Sequence, residues 1–289
     1  MAVGTTFNSN LNRNALIEAA YRTIGVLAPG VTLSGELLNE GIEALNLLVR
    51  ELDATGKWLW GIGAPSSITL VANTFVYTSA NGLATNIVEL TSATYRDGTA
   101  QDWPLEILTS EGYDRRGNKT ETGEPTAVYL ADHRDVGSQT LYVDRMLASV
   151  NTQSVVTGTD AIVYKCIRSH TADSTNVPIT GANYLLYWVA GGSGPSVWAS
   201  GTSYVAPQQI LLRHKRPLFD FDTASDNPDF PSQFTRMLKN LLAADLSDGQ
   251  GISLEERTYL IKKAKASYDN VFRSVKTNTT DTRNKVRYF

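Results

Sequence analysis

A single cysteine, Cys166, among 289 residues excludes an intrachain disulfide, so stability must come from packing within the chain or against neighbouring subunits. A reducing compartment suits such a chain. No run approaches the roughly 18 apolar residues of a membrane-spanning helix, and Met1 to Asn14 lack the charged start and apolar stretch of a secretory leader. Neither membrane insertion nor secretion is expected. Charge is sparse at 19% of residues, with 26 Lys and Arg against 29 Asp and Glu. The resulting net charge of -3 excludes a globally basic nucleic-acid binder, so any basic footprint must be local. With 42% hydrophobic residues, the chain has enough apolar side chains to fold.

Signature motifs are missing as well. There is no glycine-rich phosphate loop with its Lys-Ser/Thr, no His-Glu-x-x-His and no Gly-x-Ser-x-Gly elbow. The only histidines, His133, His170 and His214, lie far apart, and none has a second ligand at the i+3 or i+4 spacing of a helical metal motif. The sequence therefore predicts no catalytic residues, no metal and no cofactor.

What is present begins with helical periodicity. Leu16, Ile17, Ala20 and Ile24 recur at steps of three and four, which predicts a helix over 11–25 capped by Asn12 and stopped by Gly25. After Ser34, the residues Leu38, Ile42, Leu45, Val49 and Leu52 form one aliphatic stripe ending before Gly56. The hairpin of residues 1–63 cannot cover that stripe with its own two faces, so the stripe is expected to pack in a bundle or against another subunit. Residues 230–275 supply two more helices. The first starts at Pro231 with Phe234, Met237, Leu238, Leu241 and Leu242 inward. The second starts at a Ser253/Glu256 capping box, with the stripe Leu260, Ile261, Ala264, Tyr268, Phe272 and Val275. Residues 276–289 are polar, basic and without a helical period, which predicts an extended arm.

Between the helices the period falls to two. Ile68, Leu70, Phe75, Tyr77, Val88 and Leu90, then 126–130 and 140–143, predict strands, with a short helix near 110–114. Residues 64–150 and 209–229 are assigned to this β region. Residues 151–208 differ in composition: Asp160, Lys165, Arg168 and Asp173 are their only formal charges, and tyrosine and tryptophan are frequent. They read as an inserted small β module, after which Ile210 to Arg216 resumes a strand expected to pair with Leu141 to Val143. The predicted fold class is α+β: a helical bundle from the N- and C-terminal helices, a small antiparallel β region and an inserted all-β module.

Four groups of side chains are candidates for function. Asp220, Asp222, Asp226 and Asp229 are dense enough to hold calcium, but their segment lacks the central glycine and terminal glutamate of a calcium loop and reads better as turn chemistry. Glu106, Glu111 and Asp114 offer carboxylate pairs at no fixed separation. Tyr187, Trp188, Trp198 and Tyr204 are candidates for stacking on a glycan, against the plainer reading that a small β module needs such rings for its core. Arg273, Lys276, Arg283, Lys285 and Arg287 outnumber Asp281 near the C-terminal end, with Tyr288 and Phe289 as candidate aromatic anchors on an acidic partner.

Three stretches together resemble a known family. The first comprises Asn14-Ala15-Leu16-Ile17 through Ile24-Gly25-Val26-Leu27, Ala44-Leu45-Asn46-Leu47-Leu48-Val49 and Gly56-Lys57-Trp58-Leu59-Trp60. The second comprises Trp103-Pro104-Leu105, Tyr113-Asp114, Gly123-Glu124-Pro125-Thr126 and Thr140-Leu141-Tyr142-Val143. The third, the most specific, runs from Arg216-Pro217-Leu218 through Asp220, Phe221, Asp222 and Asp226-Asn227-Pro228-Asp229-Phe230-Pro231 to Leu241-Leu242-Ala243-Ala244-Asp245-Leu246. In this order they resemble the head-to-tail adaptor (connector) proteins of tailed bacteriophages, including the portal-bound tail accessory proteins of short-tailed phages. Residues 151–208 fall outside the resemblance and look instead like the small chitin-binding-type carbohydrate modules that decorate phage proteins.

The resemblance implies a non-enzymatic ring, usually of about twelve copies, at the head-tail junction of a virion assembled in the host cytoplasm. Its implied partners are the portal protein, a downstream tail or nozzle protein and further copies of itself, with genomic DNA passing through without sequence-specific binding and no membrane. It implies that the arm grips the portal, and that the channel wall is acidic or neutral so that DNA slides. The competing reading is a carbohydrate-binding adhesin or tail decoration protein acting through 151–208, and a third is a cell-wall hydrolase.

Overall fold

A computed structural model of the protein describes residues 11–55, 62–131 and 139–278, with side chains of the last helix described as far as Arg273. The described residues fall into two units, a helical one drawn from both ends of the chain and a strand-rich one between 62 and 217. Five α-helices occur among them: α1 (Arg13–Ile24), α2 (Gly35–Thr55), α3 (Ser110–Asp114), α4 (Thr235–Leu246) and α5 (Leu254–Asn278). The caps of α1 follow from residue chemistry: Asn12 Oδ1 accepts from Ala15 N–H at 2.9 Å, and Gly25 takes the left-handed conformation at φ 89°. At α5, Ser253 Oγ accepts from Glu256 N–H at 3.2 Å and donates to the Glu256 carboxylate at 3.1 Å, so the predicted capping box forms by a variant of its reciprocal bond. Pro231 opens a single 3-10 turn, Ser232–Phe234, and α4 begins after it. No helix among the described residues is long and apolar enough to cross a membrane.

In the helical unit, α4 is the central element, packed against α1, α2 and α5. Leu16, Ile17, Leu45, Val49, Met237, Leu238 and Leu242 share its core. The segment leading into α4 belongs here too. Leu218, Phe221 and Phe230 are buried in this core, and α2 straps the segment down. Asp53 Oδ1 accepts from Leu218 N–H at 3.1 Å, Asn46 Oδ1 accepts from Phe221 N–H at 3.0 Å, and Arg50 pairs with Asp220 at 2.8 Å. Assigning 218–229 to the β region was therefore incorrect: its Leu218 and Phe221 are buried in the helical core.

The strand-rich unit begins with β1 (Ser66–Thr69), β2 (Val76–Tyr77), β3 (Glu89–Arg96), β4 (Asp102–Ile107), β5 (Ala127–Ala131) and β6 (Thr140–Val143). Residues 151–208 add β7 (Val155–Thr157), β8 (Val163–Cys166), β9 (His170–Thr171), β10 (Trp188–Ala190), β11 (Ser196–Val197) and β12 (Ser203–Tyr204), and β13 (Gln209–Lys215) follows. One seven-stranded sheet runs in the order β1-β13-β3-β4-β5-β6-β2, a four-stranded sheet in the order β10-β8-β7-β11, and β12 pairs with β9. The seven-stranded sheet is mixed, because β4 and β5 run parallel.

Two expectations are overturned by this sheet. The fold class is wrong in its proportions: the protein is mixed and β-rich, with a large sheet and two smaller ones where a helical bundle with a small antiparallel region was predicted. Short strands divided by a long insert leave little local periodicity, so β4, which contains Pro104, was not read as a strand at all. The strand after the insert also takes different partners. Instead of pairing with 141–143, β13 lies between β1 and β3, in register from Gln209 opposite Arg96 to Lys215 opposite Glu89, with a bulge at Arg213/His214. Eight-residue β3 offers β13 a full-length ladder that four-residue β6 lacks, and period-two burial does not by itself choose a partner.

Candidate functional site

The stripe on α2 is largely covered within the chain. Leu45, Val49 and Leu52 are buried, while Leu38 and Ile42 are half-buried against the same core. Of the two covers expected for this stripe the bundle is present: α4 and the 218–230 segment lie against it, and it gives no support for a contact with another subunit.

What stays open lies on the adjacent flank. Along the seam of α2 and α4 run two adjoining hollows. One, of about 360 Å³, has Leu48, Leu52, Leu241, Ile261 and Tyr268 in its walls, with α5 as its third side. The other, of about 240 Å³, is lined by Glu40, Glu43, Leu47, Asp245 and Asp248. Leu47 is 58% exposed and Ile261 50%, so Ile261 leaves the buried stripe to which its spacing assigned it. The rim is acidic. Asp248 pairs with Arg257 at 2.7 Å, whereas Glu43, Glu51 and Asp245 form no ion pair among the described residues. Burial, with Glu51 and Asp248 nearby, raises the Asp245 pKa. Glu40 sits beside the Tyr21 hydroxyl at 3.3 Å, whose pKa is pushed up to about 12 by burial and then by that carboxylate. Sequence reading missed this surface. Its one signal was Leu47, an aliphatic beyond what one helical face can bury.

In the module of 151–208, the rings turn inward. Trp188 is 1% exposed and Tyr204 4%, and they meet edge to face at 5.1 Å, with the His170 ring 5.2 Å from Trp188. The Trp188 indole N–H donates to Asn176 O at 2.8 Å, and the Tyr204 hydroxyl accepts from Ala199 N–H at 2.8 Å. Two of the four candidate glycan contacts are thus core residues. Tyr187 and Trp198 remain half-buried around them, and the exposed large side chains are aliphatic, including Leu185, Leu186 and Val197. Cys166 is buried in the same core, which pushes its thiol up to about 11 and makes it a poor nucleophile. His170 donates from Nδ1 to Arg168 O at 2.8 Å; burial lowers its pKa, partly offset by that carbonyl.

The carboxylate groups serve structure. Asp226 accepts from the N–H groups of Asp222 at 2.9 Å and Thr223 at 2.6 Å and from the Thr223 hydroxyl, so its oxygens close a turn. Asp229 accepts from Phe219 N–H at 3.4 Å. No group of three or more metal-ligating side chains occurs among the described residues. Glu111 pairs with Arg115 at 2.5 Å, Asp114 with Lys119 at 3.3 Å and Glu106, more loosely, with Arg116 at 3.7 Å, so each carboxylate faces a cation rather than another carboxylate. Of the histidines, His214 has an Nδ1 that is buried without a partner among the described residues, and burial lowers its pKa. His133 lies outside the described residues.

The arm is shorter than expected. α5 continues to Asn278, so Lys276 is helical, and Arg273 is exposed on the same helix. Arg283, Lys285, Arg287, Tyr288 and Phe289 lie outside the described residues. Neither protein-family models nor curated proteins give a match to this chain.

Proposed function

We propose that the protein is a structural head-to-tail adaptor of a tailed bacteriophage: a non-enzymatic ring subunit that sits below the portal, extends the DNA channel and offers the attachment site for a downstream tail or nozzle protein. What carries the reading is where the resembling stretches fall. The described part of the first lies on α1 and α2 and the turn after α1, with Gly56 to Trp60 outside the described residues; the second falls on β4 to β6 and the segments between them, and the third runs from the end of β13 into the helical core through Leu218, Phe221 and Phe230. The stretch without resemblance, 151–208, has its own strands and its own core around Trp188. The resembling parts are thus the framework, and the remaining part is an insertion between two strands of one sheet.

On this reading the chemistry is geometric. Each copy contributes area to a closed ring, where a small contact energy is multiplied by the number of subunits. Quantitative mass spectrometry of purified virions tests the assignment. Equal copy numbers of this chain and the portal, about twelve each, are expected. Absence from virions would overturn it.

A further inference from the structure

Among the described residues of the helical unit nothing covers the groove along α2 and α4, and its chemistry is specific. Its floor is apolar through Leu48, Leu52 and Leu241. Its rim carries Glu43, Glu51, Asp245 and Asp248, against one cation, Lys265, among the lining residues. An occupant should therefore be cationic and carry apolar side chains. The chain itself contains such a segment directly after α5, where Arg283, Lys285 and Arg287 alternate with Asn284 and Val286 and are followed by Tyr288 and Phe289. We propose that this groove binds residues 279–289 of a second copy of the chain, with the three cations along the acidic rim and Val286, Tyr288 and Phe289 on the apolar floor.

Reach and direction favour another copy's segment over the copy's own. The Arg257–Asp248 pair places the acidic end of the groove beside Arg257, near the start of α5. α4 and α5 run antiparallel, since Asn240 meets Ser267 while Phe234 meets Phe272, so the end of α5 points away from that acidic end. In that register Asp245 faces about residue 262 of α5, so at about 1.5 Å per helical residue Asn278 lies roughly 24 Å beyond the level of Asp245. Arg287 stands nine residues beyond Asn278. Fully extended chain carries it at most about 31 Å. A copy's own segment brings Arg287 to Asp245 only by reversing at the end of α5 and running back nearly fully extended, with Arg283 and Lys285 left short of that end, whereas the segment of a second copy needs no reversal and can lay all three cations along the rim. A head-to-tail contact of this kind leads to rings or open chains. It gives the segment a destination other than the portal, and it does not depend on the phage assignment.

Sedimentation velocity on the full-length chain, with no other protein present, is the test. The wild type should self-associate at low salt and dissociate at high salt. Groove reversal, Glu43→Lys with Glu51→Lys, and segment reversal, Arg283→Glu with Lys285→Glu and Arg287→Glu, should each weaken association at least about tenfold. Glu43 and Glu51 are exposed, and circular dichroism should show an unchanged fold for each variant. Mixing the two variants restores opposite charges across both contacts and should restore association. A wild type that stays monomeric, variants that associate as the wild type does, or a mixture that stays monomeric would each overturn the proposal.

Discussion

Asp144 shows how single residues hold the strand-rich unit. Its carboxylate is fully buried, yet it accepts from Thr126 N–H at 2.8 Å, Ala127 N–H at 2.9 Å and the Thr126 hydroxyl at 2.6 Å, and pairs with Arg116 at 2.7 Å. Burial opposes its ionisation, but these donors and the guanidinium win and hold its pKa below the usual carboxylate range. A depressed folded pKa gives stability that is fully present above the unfolded value of about 3.9 and is lost as pH falls through the folded value. Asp144→Asn should therefore cost about 3 kcal/mol at neutral pH, measured by urea unfolding, and the gap to wild type should narrow below about pH 4. At Gly41, a methyl group would press into the Ile17 γ2 methyl where α1 and α2 meet. Gly41→Ala should thus destabilise by about 1–3 kcal/mol, although alanine is favoured over glycine in helices by roughly 1 kcal/mol. The sequence made Asn12 and Gly25 legible, because their capping chemistry is local. It could not reveal Asp144, whose donors come from residues far away along the chain, or Gly41, whose role depends on the approach of another helix.

The same division holds for elements. Helices were readable because a 3.6-residue period repeats over many residues, as in α2 and α5. The partners of β13 were not, since its contacts with β1 and β3 span more than a hundred residues and alternation fits any sheet neighbour. The aromatic module was recognisable by composition, but composition does not tell an inward ring from an outward one, and Trp188 points in. Trp188→Ala should cost about 3–5 kcal/mol and collapse the module's near-ultraviolet signal, while Trp198→Ala, at a half-buried position, should cost less. The insert's ends lie together: Asn151 N–H donates to Gln208 Oε1 at 2.9 Å and Asn151 Nδ2 donates to Ala206 O at 3.1 Å. No residue of 151–208 belongs to the core of the large sheet. Its contact with the β3–β4 turn is close, since a Cβ at Gly98 would stand 2.6 Å from Asn151 Nδ2. Replacing 151–208 by a short linker should leave cooperative unfolding of the remaining chain, with a loss on the order of 2 kcal/mol for the Ser169–Gly98 and Leu70–Gln208 backbone bonds. Loss of all cooperative structure would make the insert part of the fold it interrupts.

At the scale of the whole molecule, the proposed function turns on assembly. The helical unit buries its central helix and most of its α2 stripe by itself, so a ring of the proposed kind would have to use other surfaces, and the open flank of α2 and α4 is one of these. Beyond Leu47 this surface left no trace in the sequence, because the periodicity that marks a buried face says nothing about the flank beside it. An adaptor ring can also need its portal as a template, so the monomer-ring balance in isolation does not decide the function. The decisive measurement is native mass spectrometry of the purified protein mixed with its portal, with symmetry read from electron micrographs of the same particles. A complex carrying about twelve copies of this chain in the portal's rotational symmetry is expected. A chain that remains monomeric beside an intact portal ring would contradict the adaptor function.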